Sequence, residues 1–175
     1  MRSEPSFRLA MELDAVTLLK FMRDYYAYDG HGFDDKKARA ALTTLLRDRN
    51  LGRVWLILDG EASVGYVVIA FGYSLEWLGR DAFVDEFYLL PAYRGCGWGR
   101  ATMTFVEEAA RSLGVTALHL EAVRRNTTAL QVYRKLGFKE HESALLSKWI
   151  AQDFSKPEGE TKAESASTDI VPPST

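Results

Sequence analysis

The sequence DEFYLLPAYRGCGWGRATMTFVEEAARSLG, residues 85–114, joins a strand-like apolar run to a helical pattern through a loop rich in glycine. Two adjacent carboxylates, Asp85 and Glu86, interrupt the apolar run, and Pro91 ends it. After the loop, apolar side chains recur at helical spacing as far as Gly114, a residue type typical of helix C-termini. The stretch therefore predicts a strand that carries acids, followed by a loop and a helix.

The loop RGCGWGR, residues 94–100, has the composition of an anion-binding site. Glycines at alternate positions leave successive backbone N–H groups uncovered, and the positive end of the following helix dipole lies next to them. A tight turn that needs glycine for positive φ would explain part of this pattern. Three glycines in five positions between two arginines nevertheless favour the binding of a phosphate or pyrophosphate.

Two other phosphate-binding patterns fit the loop less well. A P-loop requires Gly-Lys-Ser or Gly-Lys-Thr, and neither tripeptide occurs in the sequence. The dinucleotide fingerprint G-x-G-x-x-G would start at Gly95, but Arg100 takes the place of its third glycine. Glu121 lies where a ribose-binding acid belongs, so a nucleotide-dependent oxidoreductase stays open as an alternative.

The composition limits the class of protein. The chain has 175 residues, enough for one domain with a sizeable core, and its 47% hydrophobic and 26% charged residues are typical of a globular protein. A net charge of −2 gives no basic field for nucleic acid. One cysteine excludes an internal disulfide framework, and no signal peptide or membrane-spanning run is recognisable. We expect a cytoplasmic protein without nucleic-acid or membrane partners.

The flanking segments extend the pattern to a mixed α/β fold. Residues 53–77 contain two β-rich runs around Asp59-Gly60, a strong hairpin signal, and residues 82–90 add a third antiparallel strand. A strand and two helices precede them, and a strand and a helix follow the loop. The predicted order is β-α-α-β-β-β-α-β-α-β, in which residues 138–150 supply one or two final strands.

The composition changes near the C-terminal end of the sequence. Residues 151–175 are rich in Ser, Thr, Pro, Glu and Lys and offer little apolar surface to offset the entropy of ordering. We therefore predict one domain over residues 1–150 and a disordered polar tail over residues 151–175.

Two motifs in this order resemble those of the GNAT acyltransferases, which bind acetyl-CoA. Residues 94–99 match the R/Q-x-x-G-x-G/A signature of that family, and NTTALQVY, residues 126–133, matches its N-x-x-A-x-x-x-Y helix. The resemblance covers residues 6–150 and is closest to the diamine (spermidine/spermine) acetyltransferase branch, in which an acidic pair also precedes the glycine loop. It implies a mixed, mostly antiparallel sheet of six to seven strands with about four helices. Trp98 departs from the pattern, which usually has Ile or Leu there.

The resemblance also implies that acetyl-CoA is the co-substrate and indicates the residues that bind it. In this family the acidic strand is bulged and splays from its neighbour, and the pantetheine arm lies in the gap. The implied contacts are the backbone of Phe87, Tyr88 and Leu89, the loop residues Arg94, Gly95, Cys96, Gly97, Trp98, Gly99 and Arg100, and Asn126. Asn126 is also a favourable helix cap by residue type.

Acetyl transfer to an amine requires a base for the ammonium proton and an acid for the departing thiolate. Asp85 and Glu86 are neighbours on a strand and point to opposite faces unless a bulge rotates the chain. We prefer Glu86 as the base, because its longer side chain suits proton transfer through a water, and keep Asp85 as the alternative. The family match makes Tyr133 the general acid, since a phenol with a pKa of about 10 is protonated at pH 7. A core tyrosine would also fit its spacing.

The acceptor side of the site is predicted from an aromatic and acidic cluster at the end of the first helix. Tyr25 and Tyr26, together with Glu76 in a later loop, would suit a cationic amine through carboxylate and ring-face attraction. The expected reaction is direct attack by a small polyamine- or aminoglycoside-like amine in a ternary complex. A protein or peptide amine is the second acceptor class, and a non-catalytic acyl-CoA-binding sensor is the alternative of another kind.

Two further expectations concern metal and assembly. The three histidines, His31, His119 and His141, are scattered without the spacing of a metal site, so we expect no metal. The segment SALLSKWI, residues 143–150, is apolar enough to pair between subunits, which leaves a homodimer open.

Overall fold

A computed structural model describes residues 4–30, 32–124, 126–148 and 150. Its elements follow the predicted order as far as the last helix, with two short 3₁₀ turns at Glu12–Asp14 and Pro91–Tyr93. The elements are β1 (Ser6–Leu9), α1 (Ala15–Asp29), α2 (Asp35–Arg47), β2 (Gly52–Asp59), β3 (Ala62–Ser74), β4 (Gly79–Leu89), α3 (Trp98–Ser112), β5 (Val115–Leu120) and α4 (Thr127–Lys135).

The strands form one mixed sheet in the order β1-β2-β3-β4-β5. The pairs from β1 to β4 are antiparallel. Short turns, such as the one at Gly60, join β2 to β3 and β3 to β4, whereas α1 and α2 connect β1 to β2. The last pair, β4 and β5, is parallel, and α3 provides the crossover that a parallel pair requires. The predicted mixed, mostly antiparallel α/β architecture is confirmed.

The number of strands differs from the prediction. The described part of the chain contains five strands rather than six or seven, and residues 138–148 and 150 contribute none. Residues 143–148 contain no β-branched or aromatic side chain, and Leu145 and Leu146 are 68% and 89% exposed. Residues 143–148 therefore lack both the residue types and the buried face that favour a strand.

Helices cover both faces of the sheet. The first face packs against α1 and α2 around Leu18, Leu19, Phe21, Leu42, Tyr66, Val68 and Tyr88. The second packs against α3 around Trp55, Val67, Ile69, Val84, Met103 and Val106. Successive residues of β3 serve opposite faces, which is why its sequence is an almost continuous apolar run.

A β-bulge in β4 determines where the site can form. Val84 pairs with Ile69 and Glu86 pairs with Val68, so Asp85 is an extra residue without a partner on β3. On the other side, pairing with β5 ends where Leu120 meets Val84. Residues 85–89 of β4 therefore continue past the end of β5. Their β3 edge is paired, but no described strand lies along the edge that faces β5.

Two findings bear on the limits of the domain. Among the residues that the structure describes, no helix is both long and apolar enough to cross a membrane. The predicted polar tail, residues 151–175, lies outside the described residues, so the domain boundary at residue 150 stays a prediction.

Candidate active site

The free edge of β4 presents backbone groups to the gap beside β5. The N–H of Leu90 donates to the carbonyl of Val64 at 2.9 Å. Alternate residues of an antiparallel strand hydrogen bond to the same neighbour, so the backbone of Tyr88 pairs with β3 while that of Phe87 and Leu89 points into the gap. Two of the three predicted strand contacts thus offer amide groups to an extended ligand.

The glycine loop leads directly from this edge to α3. Gly95 and Gly97 have positive φ angles of 71° and 93°, and a Cβ atom added to either would meet nothing within 4 Å. Gly97 is the N-cap of α3, so its exposed surroundings coincide with the positive end of the helix dipole. The loop therefore meets the tight-turn requirement and leaves open space beside Gly95 and Gly97, and its binding of an anion stays a prediction.

The side chain of Trp98 anchors the loop from below. It is 3% exposed and packs with Ile57, Val64 and Leu89, while its ring centroid lies 4.8 Å from that of Tyr93. The unusual tryptophan consequently fills core space beneath the loop, and the surface above the loop keeps its accessible backbone. Cys96 is exposed, and its Sγ donates to the carbonyl of Tyr93 at 3.2 Å.

Arg94 connects the loop to the strand and to α1. Its Nε donates to the carbonyl of Leu89 at 2.8 Å, and its guanidinium carbon lies 4.5 Å from the ring centroid of Tyr28 and 5.3 Å from that of Tyr88. The Arg94 side chain thus binds the end of β4, whereas Arg100 is exposed in the first turn of α3.

The two carboxylates have different surroundings. Glu86 is partly buried, and its Oε2 accepts a hydrogen bond of 2.7 Å from the hydroxyl of Tyr66. The hydroxyl of Tyr26 donates to the same carboxylate. Burial raises the pKa of Glu86, and these two hydrogen bonds oppose the rise. Asp85 is exposed as a whole residue, although partial desolvation by neighbouring protein atoms raises the pKa of its carboxyl.

Tyr133 lies in α4, the helix that follows β5 in the chain. It packs into the apolar cluster that contains Val84 and Leu120, the last paired residues of β4 and β5, and its ring meets Phe138 edge-on with centroids 5.8 Å apart. Burial raises the pKa of Tyr133, so the phenol stays protonated. Asn126 caps α4 by accepting the N–H of Ala129 at 3.1 Å.

The predicted acceptor residues are only partly brought together. The rings of Tyr25 and Tyr26 meet edge-on with centroids 5.8 Å apart, and the ring of Tyr25 lies 6.4 Å from that of Tyr88. Tyr26 adjoins Glu86, and Tyr25 lies beside Tyr26. Glu76 lies in the β3–β4 turn, at the opposite end of the strand. Glu86 lies seven positions after Gly79 in β4, which is about 23 Å along a strand. The structure therefore separates Glu76 from the other predicted acceptor residues.

The site also contains a residue that the sequence did not reveal. Tyr66 is buried in the middle of β3 and donates to Glu86. A tyrosine within an apolar strand has the sequence pattern of an ordinary core residue, and only the pairing of β3 with β4 identifies its partner.

Comparisons with known proteins identify the family of the chain. A family model described as Acetyltransferase (GNAT) family matches residues 17–138. Thialysine N-epsilon-acetyltransferase of Bos taurus is 33% identical over 101 residues, 58% of this chain and 51% of that enzyme. Spermidine/spermine N(1)-acetyltransferase-like protein 1 of Homo sapiens is 25% identical over 128 residues, 73% of this chain and 16% of that protein.

A solved structure shows the same fold at higher coverage. The crystal structure of an integron cassette protein from the mobile metagenome of Cole Harbour Salt Marsh has a TM-score of 0.74 and 36% identity, and the match covers 83% of this chain and 90% of that one. The match to the bovine enzyme spans about half of its length. The two curated names are those of N-acetyltransferases, which agrees with the resemblance to the diamine branch. The family model matches most of the length of this chain, and the chain therefore belongs to the GNAT acetyltransferase family.

Proposed function

We propose that this protein is an N-acetyltransferase that moves an acetyl group from acetyl-CoA to a primary amine of a small cationic acceptor. The observation that carries the proposal is the layout of β4. The strand has a carboxylate pair at its bulge, a backbone edge at Phe87 and at the N–H of Leu89 that pairs with no described strand, and the glycine loop beyond its end. A ligand with an extended amide-containing arm and a diphosphate fits this series of features.

The residues of the gap suit acetyl-CoA. The N–H groups of the exposed residues Gly95, Cys96 and Gly97 and the N-terminus of α3 are donors for the diphosphate, with Arg100 nearby. The backbone of Phe87 and the N–H of Leu89 are partners for the pantetheine arm, while the Leu89 carbonyl accepts from Arg94. Asn126 caps α4, and we assign it a second role as a contact to the cofactor.

The chemistry needs two proton transfers, and the chain offers a group for each. The amine nitrogen attacks the thioester carbonyl carbon, the C–S bond breaks, and an acetamide and a free thiol result. Glu86, directly or through a water, takes the proton of the incoming ammonium, and the raised pKa brings this carboxylate closer to a useful working range. Tyr133, which burial keeps protonated, supplies the proton for the departing thiolate. Exposed Asp85 is the alternative base.

Charge and aromatic surface support a cationic acceptor. In the described part of the chain, no arginine, lysine or histidine forms an ion pair with Glu86 or Asp85, so no internal cation competes with a cationic ligand for these carboxylates. The rings of Tyr25 and Tyr26 beside Glu86 add faces that attract a cation. The relatives named for thialysine and for spermidine/spermine suggest the first compounds to test.

The test combines binding and turnover in one series. Calorimetry with acetyl-CoA should show saturable binding, and free thiol should then be released with thialysine, spermidine or an aminoglycoside. A lysine-containing peptide tests the protein-amine alternative. Binding without thiol release from any amine would favour a non-catalytic sensor, whereas absence of acetyl-CoA binding, with a response to NADH or NADPH instead, would favour the oxidoreductase.

A further inference from the structure

Tyr66 has the properties of a rigid hydrogen-bond donor. Its side chain is 1% exposed, so it cannot exchange its partner for bulk water. Its ring lies parallel to that of Phe21, with centroids 6.2 Å apart, and 6.4 Å from that of Tyr88. These contacts fix the ring, and through it the hydroxyl that lies 2.7 Å from Oε2 of Glu86.

Glu86 depends on this donor because the described residues supply no cation to it. A buried carboxylate is stabilised either by a positive charge or by several hydrogen bonds. Here the donors are two phenols, Tyr66 from β3 and Tyr26 from α1. Tyr26 stands at the rim beside the predicted acceptor and is partly exposed, whereas Tyr66 is enclosed. The hydrogen bond from buried Tyr66, on the core side of Glu86, is therefore the one that solvent and ligand do not disturb.

We propose that Tyr66 is a positioning residue, which holds one oxygen of the Glu86 carboxylate from the core side so that the remaining lone pairs face the acceptor amine. The inference rests on the proposed function, because it assumes that Glu86 is the base. A carboxylate on the bulged part of β4 has freedom to rotate about its side-chain bonds, and a bond to a fixed phenol removes that freedom. Tyr66 acts only through Glu86 and does not touch the reacting atoms.

The same contact affects the proton affinity of Glu86. The titratable groups that face this carboxylate are Tyr26 on α1, Tyr66 on β3 and Asp85 on β4. Burial and the charge of Asp85 raise the pKa of Glu86, and the hydroxyl groups of Tyr66 and Tyr26 lower it. Removal of the Tyr66 hydroxyl takes away a stabiliser of the ionised form. The pKa of Glu86 should then rise further, and a larger part of the enzyme would hold the protonated, inactive acid at neutral pH.

The test is Tyr66→Phe, which keeps the ring and removes the hydroxyl. The titration of Glu86 is followed by carbon-13 NMR on protein with labelled glutamate, and the signal is identified by its loss in Glu86→Gln. We expect the pKa of Glu86 to rise by about one unit and the acid limb of the kcat/KM profile to move by the same amount. The affinity for acetyl-CoA should stay within about twofold of the wild type. A pKa of Glu86 that does not move in Tyr66→Phe would overturn the proposal.

A matched control and a double variant separate positioning from folding. Tyr93→Phe removes another phenol–carboxylate bond, the one of 3.0 Å to Asp59, and should leave the acid limb where it is. If Tyr66 works through Glu86, Tyr66→Phe should lower kcat about tenfold in the wild type and have no further effect in Glu86→Gln. An equal loss in both backgrounds would mean a merely structural tyrosine and would overturn the proposal.

The NMR titration also keeps this inference separate from the proposed function. It needs no substrate, so a shifted pKa of Glu86 in Tyr66→Phe supports the contact even in a protein that releases no thiol. Absence of turnover in the wild type would refute the proposed function instead. Full activity of Glu86→Gln would refute the role of Glu86 as base, and with it the positioning role of Tyr66.

Discussion

Replacement of Tyr133 by phenylalanine is the most direct test of the chemistry, because the structure separates its packing from its hydroxyl. The ring packs against Phe138 and the cluster that includes Val84 and Leu120, and phenylalanine preserves these contacts. Within the described residues, the Tyr133 hydroxyl makes no hydrogen bond to another side chain or backbone group. We therefore expect the free energy of unfolding to change by no more than about 0.5 kcal/mol.

The effect on turnover should be much larger than the effect on stability. A positioned general acid typically contributes about 10²- to 10⁴-fold to a rate. At about 1.36 kcal/mol for each tenfold step, this is a barrier increase of about 3–5 kcal/mol. Because Tyr133 is proposed to act on the departing thiolate and not on the diphosphate, the dissociation constant of acetyl-CoA should stay within about twofold. The loss should appear almost entirely in kcat.

The pH dependence of kcat gives an independent test of Tyr133 as the general acid. Burial raises the pKa of Tyr133 above its ordinary value of about 10, so the protonated form persists to higher pH and the basic limb of kcat should lie above pH 10. The variant should lack that limb.

The assay is thiol release with acetyl-CoA and the best amine of the panel, together with calorimetry of acetyl-CoA binding and thermal unfolding. Tyr73→Phe, at a tyrosine that is 78% exposed near the end of β3, is the control for loss of a phenol elsewhere. A kcat within about threefold of the wild type, or an equal loss of acetyl-CoA affinity, would refute the role assigned to Tyr133.

Three other predictions follow from the structure. Gly97→Ala places a side chain at a φ of 93° above the loop amides, and it should weaken acetyl-CoA binding at least tenfold by calorimetry. The control is Gly60→Ala, at a φ of 59° in the β2–β3 turn. Both variants should lower the free energy of unfolding by about 1–2 kcal/mol, the penalty for a left-handed backbone, but Gly60→Ala should leave binding unchanged. Trp98→Ala should lower the free energy of unfolding in urea by about 3–5 kcal/mol, since the side chain is 3% exposed, and a loss below about 1 kcal/mol would contradict its packing role. Asp14→Asn should destabilise the protein by about 1.5–3 kcal/mol at pH 7, because the buried carboxylate accepts two hydrogen bonds from Arg8. These bonds are the main reason that the pKa of Asp14 is lowered in the folded protein. The stability difference between wild type and variant is therefore complete above pH 3.8, the ordinary carboxyl pKa, and should vanish as the pH falls through the lowered pKa of the folded state. Unfolding curves that differ equally at pH 7 and pH 2 would contradict this.

Local signals made much of the fold predictable. The Asp59-Gly60 pair identified the β2–β3 hairpin, and the cap at Asn126 identified the start of α4, because each depends only on backbone conformations of a few adjacent residues. The glycine loop was recognisable for the same reason. The roles of its residues and of Tyr133 in binding and catalysis remain predictions.

Features that depend on contacts between distant segments were less predictable. The final strands were expected from apolar content alone, but Leu145 and Leu146 find no buried face. Glu76 was expected beside Tyr26, yet the tip of a hairpin lies at the end of the sheet opposite to the loop that follows its second strand. Tyr66 escaped notice because nothing in an apolar strand shows which side chain faces a carboxylate across the sheet.

The extra residue in β4 has a consequence for the sheet as a whole. Without Asp85, Val84 and Glu86 would continue an unbroken ladder with β3. A regular β4 would also favour further pairing with the chain that follows Leu120. A seamless sheet of that kind would have no opening. The irregularity of β4 thus coincides with the gap beside β5. A ligand lying along residues 85–89 would occupy the position of a neighbouring strand.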